Sequence, residues 1–213
     1  MRMGKQTVKF ELLPTILDTA STVGKKEGEG PLATDFDVVL EDDYYGEKSW
    51  EKAESKLQEQ TARKALEKAG LRESDMNYVL AGDLLNQCVG AHYAMRELKI
   101  PFLGLYGACS TMAESMMIGS MLISGNMADN ALCVTSSHYC SAEKQYRYPL
   151  EYGGQRAPSA QWTVTGSGAA VLTADGNGPY IHSVTTGKII DMGISDVNNM
   201  GAAMAPDDVI LTP

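Results

Sequence analysis

The chain has 213 residues, 44% of them hydrophobic, with a formal net charge of -9 and a pI near 4.8. That acidity excludes the basic stripe on which a nucleic-acid binder meets phosphates, and no stretch approaches the roughly 20 apolar residues of a membrane-spanning helix. Four cysteines at 88, 109, 133 and 140 lack C-x-x-C spacing, which excludes a zinc ribbon and a thioredoxin-type motif.

Met1 to Phe10 has no continuous apolar region, so no signal peptide is read, and the expectation is synthesis in a cytosol with reduced thiols. In chain order, "KQTVKFE" alternates like a strand, "GKKEGEGPLA" (24–33) reads as a polar loop, and "DFDVVLEDDYYG" as acidic and irregular. The segment 49–69, "SWEKAESKLQEQTARKALEKA", predicts a helix with Ser49 as N-cap and Gly70 as C-cap. "NYVLAGDLL" predicts a strand, 86–98 a helix, "IPFLGLYGA" a strand, 110–124 a helix and "ALCVTSS" a strand. Strands and helices alternating at this rhythm imply parallel βαβ units. Residues 141–162 break the pattern as a long aromatic and polar loop of the kind that serves as a lid or binding element. "TVTGSGAAVLTA" and "YIHSVTTGKIID" read as two strands of a hairpin turned by "DGNGP".

Cys109 sits in "LYGACSTMAES", between a predicted strand and a predicted helix. In an open parallel sheet that is where ligands bind. Helix-terminal N–H groups there favour a thiolate, and would hold a carboxylate equally well. Three roles fit: nucleophile, pocket wall, or small core residue. Cys133 lies mid-strand and reads as core. Of the three histidines, His92 reads as a surface or packing residue and His182 as part of a strand, whereas His138 follows a strand at the same carboxyl edge as Cys109. The methionines at 112, 116, 117 and 121 follow helical spacing and read as packing of the central helix. "GSGAA" is too short for a dinucleotide fingerprint and precedes a strand, and "DGNGP" lacks the carboxylates of an EF-hand loop, so no cofactor or dedicated metal site is expected.

"GACST", "ALCVTSSH" and "TGSGAAVL" resemble the first half of the thiolase superfamily. The longer runs "AGDLLNQ", "KIPFLGLYGACST", "AEKQYRYPLEYGGQ", "TVTGSGAAVL" and "MGAAMAP" resemble, in order and over nearly the whole chain, the stage V sporulation protein AD family. That resemblance implies a thiolase-like α/β fold, with a mixed, mostly parallel sheet and helices on both faces. It also implies a non-catalytic role in moving dipicolinic acid into developing spores and releasing it in germination. The expected setting is a complex with membrane-embedded sporulation proteins encoded alongside, at the spore inner membrane, with the chain as a homodimer. Calcium enters only as part of the ligand.

Two departures shape the expectation. Residues 1–205 correspond to one βα half of the two-half superfamily fold, and 206–213 to a remnant of what would follow. The histidines or asparagine with which condensing enzymes of the superfamily activate their cysteine belong to the second half. The alternative activity is an acyl-CoA condensing or acyltransferase reaction with Cys109 as nucleophile, which requires a base and an oxyanion hole. For a flat pyridine dicarboxylate, the expected ligand-binding residues are Cys109, Ser110, Ser137, His138, Lys144, Arg147, Tyr152 and Arg156. Between Glu143 and Arg156 the local charge is one net positive, with tyrosines interleaved, which suits either ligand contact or a subunit interface.

Overall fold

A computed structural model describes residues 1–85, 89–146, 163–188 and 193, with the backbone alone for 143–146. Nine strands and five α-helices occur among them: β1 (Arg2–Met3), β2 (Thr7–Lys9), β3 (Thr15–Val23), α1 (Lys25–Gly28), β4 (Val38–Val39), α2 (Trp50–Ala69), β5 (Tyr78–Asp83), α3 (Val89–Leu98), β6 (Phe102–Gly104), α4 (Thr111–Ser124), β7 (Asn130–Ser137), α5 (Tyr139–Tyr146), β8 (Gly166–Thr173) and β9 (Ser183–Thr185).

The central sheet has six strands in the order β4-β3-β8-β7-β5-β6. Only β8 runs against the rest: it is antiparallel to both β3 and β7, whereas β3–β4, β5–β7 and β5–β6 are parallel pairs. The expected mixed, mostly parallel α/β sheet is present. Side chains alternate between its faces. Val79, Ala81, Leu132, Val134, Ala169 and Val171 pack with α2 and α3, and Leu80, Cys133, Ala170 and Leu172 pack with α4. Helices therefore cover both faces. Burying side chains such as Leu57, Leu80, Ile123, Leu132 and Leu172 completely supplies roughly 1.5–3 kcal/mol each. Gly119 lets α4 lie close, because a Cβ there would sit 3.1 Å from Leu172 and 3.4 Å from Cys133.

α2 follows its sequence cues. The Ser49 hydroxyl accepts from the Lys52 N–H at 3.3 Å, and Gly70 takes the left-handed conformation (φ 68) that closes the carboxyl end.

Four readings need correction. The nine-residue strand β3 was not anticipated: its "TILDTASTV" carries too few large apolar residues to announce a buried strand, and its place is settled by pairing with β8. The segment 24–33 is not wholly loop, since Lys25–Gly28 is helical. The segment 141–162 begins in α5, so its first residues are helical as well, while 147–162 lie outside the described residues. The hairpin does not form. β8 has β3 on one side and β7 on the other, so no edge is left for the following strand, and β9 crosses to pair with β2 in a separate three-stranded sheet.

Candidate functional site at the carboxyl edge of the sheet

β5, β6 and β7 are parallel, so their carboxyl ends at Asp83, Gly104 and Ser137 meet at one edge of the sheet. β6 leads into a 3-10 turn, Ala108–Ser110, and then α4. Cys109 lies in that turn with its thiol exposed. Ala108, immediately before it, has φ 45, a conformation that costs a residue with a Cβ on the order of 1–2 kcal/mol. The backbone is held there by its surroundings. Leu105 N–H bonds the Ala81 carbonyl at 2.9 Å, and the Ser110 hydroxyl donates to the Gly107 carbonyl at 3.0 Å. Gly82 makes the close approach possible. A Cβ there would fall 2.3 Å from the Leu105 carbonyl oxygen and 2.9 Å from Thr111 Cγ2, against backbone that cannot swing away. Gly82→Ala is expected to lower the unfolding free energy by about 2 kcal/mol through this overpacking, measured by urea denaturation.

β7 ends in Ser137 and His138. The Ser137 hydroxyl donates to the Val164 carbonyl at 2.6 Å and so ties the start of the β8 segment to the end of β7. His138 is 1% exposed. Its Nδ1 accepts from the Cys140 N–H at 3.2 Å, which places the ring hydrogen on Nε2, and Nε2 donates to the Asp43 carbonyl at 2.8 Å. Both ring nitrogens are engaged. Burial lowers the proton affinity of the imidazole below its ordinary value, so it is held neutral.

Behind this corner lies a buried polar group that the sequence reading missed. Glu54 of α2, 1% exposed, accepts from Ser136 Oγ at 3.1 Å and meets Ser141 Oγ at 2.9 Å. Gln58, one turn on, donates from Nε2 to the Gly82 carbonyl at 2.9 Å. Asp83, fully buried, accepts from the Ala91 N–H at 3.0 Å through Oδ2. Asp83 Oδ1, Gln58 Oε1 and Thr111 Oγ1 have no hydrogen-bond partner among the described residues. Burial is the main reason that the Glu54 carboxyl is pushed up to about 7; Asp83 adds to the effect, and the two serine hydroxyls oppose it. One signal was available: Glu54, Gln58 and Thr61 recur at helical spacing on the same stripe as Ala53, Leu57, Ala62 and Ala65, the face that α2 turns to the sheet.

Of the expected site residues, Cys109, Ser110, Ser137 and His138 all fall at this edge, Cys109 and Ser110 after β6, Ser137 and His138 at the end of β7. The Lys144 side chain, Arg147, Tyr152 and Arg156 lie outside the described residues, as do Cys88 and 206–213. Cys133 is fully buried and its thiol is pushed up to about 12 by burial, as befits a core residue. His92 is exposed and meets Phe102 edge-on at 5.2 Å. Among the described residues no group of three or more His, Cys, Asp or Glu side chains is placed to hold a metal ion, and no helix is long and apolar enough to cross a membrane.

This layered α/β fold is that of the thiolase-like ketosynthases. It resembles 3-oxoacyl-[acyl-carrier-protein] synthase III from Aquifex aeolicus (TM-score 0.50, 16% identity, 75% of this chain and 53% of that one). It also resembles an OleA variant, H285D, from Xanthomonas campestris (TM-score 0.52, 14% identity, 78% and 57%). Residues 4–211 match the stage V sporulation protein AD family, and the Bacillus subtilis (strain 168) Stage V sporulation protein AD is 48% identical over 204 residues, 95% of this chain. The chain belongs to the stage V sporulation protein AD family. It spans 60% of the length of that Bacillus relative.

Proposed function

We propose that the chain is a non-catalytic, thiolase-fold binding protein for dipicolinic acid or its calcium complex. It supports transport of that ligand into spores and its release in germination. The carboxyl edge around Cys109 receives the ligand, with Ser110, Ser137, Lys144, Arg147, Tyr152 and Arg156 as the remaining contacts and His138 as a wall of the pocket. The observation that carries the reading is the exposed Cys109 turn at the sheet's carboxyl edge in a member of a sporulation family. The state of His138 favours binding over acyl transfer. A neutral imidazole with one nitrogen accepting from Cys140 and the other donating to Asp43 has no lone pair free to take a thiol proton.

The protein reaches the spore inner membrane through membrane-embedded partners, and a homodimer is the proposed assembly. The latter is supported by β6, an edge strand with Leu103 and Tyr106 exposed beside it.

Calorimetric titration of a full-length protein with dipicolinate and with its calcium complex tests the reading. Heat of binding at millimolar ligand or below is expected, with at least a tenfold loss in Cys109→Trp, whose indole would occupy the space beside the turn. Absence of binding by the folded wild-type protein overturns the proposal. The competing acyl-transfer reading needs a separate readout, because exposure alone makes Cys109 alkylate faster than the buried Cys133. A mass increment on Cys109 after incubation with acyl-CoA would favour the enzyme.

A further inference from the structure

Asn177 is the one asparagine of the chain that is followed by glycine, in the "DGNGP" segment between β8 and β9. Its side chain is exposed, and neither it nor the Gly178 N–H has a hydrogen-bond partner among the described residues. Gly178 carries no side chain to shield its nitrogen from the neighbouring amide. Both flanks of the pair are fastened. The Gly176 carbonyl accepts from Thr15 Oγ1 at 3.4 Å, the Pro179 carbonyl accepts from the Ile16 N–H at 2.9 Å, and the Ile181 N–H donates to the Pro14 carbonyl at 2.8 Å. The other described asparagines are placed differently. Asn77 Oδ1 accepts from the Asp129 and Asn130 N–H groups at 2.8 and 3.0 Å, and Asn130 Nδ2 donates to the Asp75 carbonyl at 3.0 Å. Asn126 is followed by Met127, whose N–H donates to the Leu122 carbonyl at 2.8 Å.

We propose that Asn177–Gly178 is a self-modifying link, in which Asn177 is converted to aspartyl and isoaspartyl forms without an enzyme. The Gly178 nitrogen gives its proton to water and bonds to Cγ of Asn177, closing a succinimide ring. The bond from Cγ to the side-chain nitrogen breaks, and that nitrogen takes up a proton and leaves as ammonia. Attacking and attacked atoms belong to neighbouring residues, so the step is unimolecular. Water then opens the ring. Cleavage between the ring nitrogen and Cγ leaves ordinary aspartate. Cleavage between the ring nitrogen and the main-chain carbonyl carbon leaves Gly178 joined through Cγ, with the main-chain carboxylate free. The sum is water consumed and ammonia released, with no oxidant or reductant. The isoaspartyl form lengthens the main chain by a methylene between Gly176 and Pro179, both of which are tied to the start of β3. That insertion puts the two ties out of register and slackens the crossing that carries the chain to β9 and its partner β2.

Peptide mass mapping of the folded full chain during incubation at pH 7 and pH 9 tests the proposal. Fragmentation tells the two products apart, and an isoaspartyl-specific carboxyl methyltransferase gives a second count. Conversion at Asn177 is expected to be at least about tenfold faster than at Asn77, Asn126 or Asn130, and to be lost in Asn177→Gln, whose longer side chain closes the ring poorly. It should also run faster at pH 9, where the Gly178 nitrogen loses its proton more readily. Gly178→Ala is unsuitable as a control, because its Cβ would lie 2.7 Å from the Ile16 carbonyl oxygen. In the isoaspartyl fraction, separated by chromatography, exchange protection of the Ile16 and Ile181 amides is expected to fall about tenfold, while Asn177→Asp, with the same charge and an ordinary backbone, keeps it. Conversion that occurs only after unfolding in urea overturns the proposal, as does equal conversion at the other three asparagines. Equal loss of protection in Asn177→Asp overturns the slackening of the β9 crossing.

Discussion

Glu54→Gln is expected to gain about 2–3 kcal/mol of stability relative to wild type when the pH is raised from 5 to 8. The sign follows from linkage. In the unfolded chain the Glu54 carboxyl titrates at its ordinary value of 4.5, and in the folded protein at about 7. Between those values the folded state holds a proton that the unfolded state has released, so stability falls as pH rises and the loss is complete once Glu54 ionises in the fold. At about 1.36 kcal/mol per tenfold change in proton affinity, the whole interval is worth about 3 kcal/mol, and most of it falls between pH 5 and 8. Glutamine keeps the shape, offers donors to Ser141 and cannot ionise, so the variant loses this dependence. Urea unfolding of both proteins at the two pH values measures it. A difference between variant and wild type that does not move with pH would mean that Glu54 is ionised in the folded protein throughout.

His138→Ala is expected to cost about 3 kcal/mol, or roughly a 10 °C drop in Tm for a chain of this size. The imidazole is 1% exposed, and it connects Asp43 of the loop before α2 with the Cys140 N–H at the start of α5. Truncation leaves a cavity and removes the donor to the Asp43 carbonyl and the Nδ1 acceptor of the Cys140 N–H, each with its own cost. His138 also acts in the opposite pH direction to Glu54. Its folded-state proton affinity is lowered, so the folded protein binds fewer protons than the unfolded chain below about 6.5, and stability is lost as pH falls from there. The alanine variant should therefore differ from wild type most above pH 6.5 and less in acid. Differential scanning calorimetry at pH 5.5 and 7.5 checks both the size and the trend. An unchanged Tm would remove the corner from the architecture of the site.

Much of the fold can be read from local pattern. The α2 helix announces itself through Ala, Glu, Lys and Leu content and two caps. β5, β6 and β7 are short apolar runs before helical segments, which places Cys109 at the start of α4 and His138 at the end of β7. Those features are local in the chain, and local chemistry determines them. β3 and the pairing of β9 were not legible in this way. A strand of small and polar residues such as β3 is chosen by the neighbours that pair with it. Likewise β9 goes to β2 because both edges of β8 are already taken, a fact that no local pattern encodes.

The same division runs through the site. By itself the sequence determined which residues gather at the carboxyl edge, since strand direction and helix order suffice to bring Cys109, Ser110, Ser137 and His138 there. Only the tertiary structure decided their chemical state. Burial lowers the proton affinity of His138, whose ring nitrogens bond Cys140 and Asp43, far away in the chain, and it raises that of Glu54, which α2 carries out of water beside Asp83 against the opposing effect of the Ser136 and Ser141 hydroxyls. Proton affinity depends on burial and on partners distant in sequence, and folding alone assembles those.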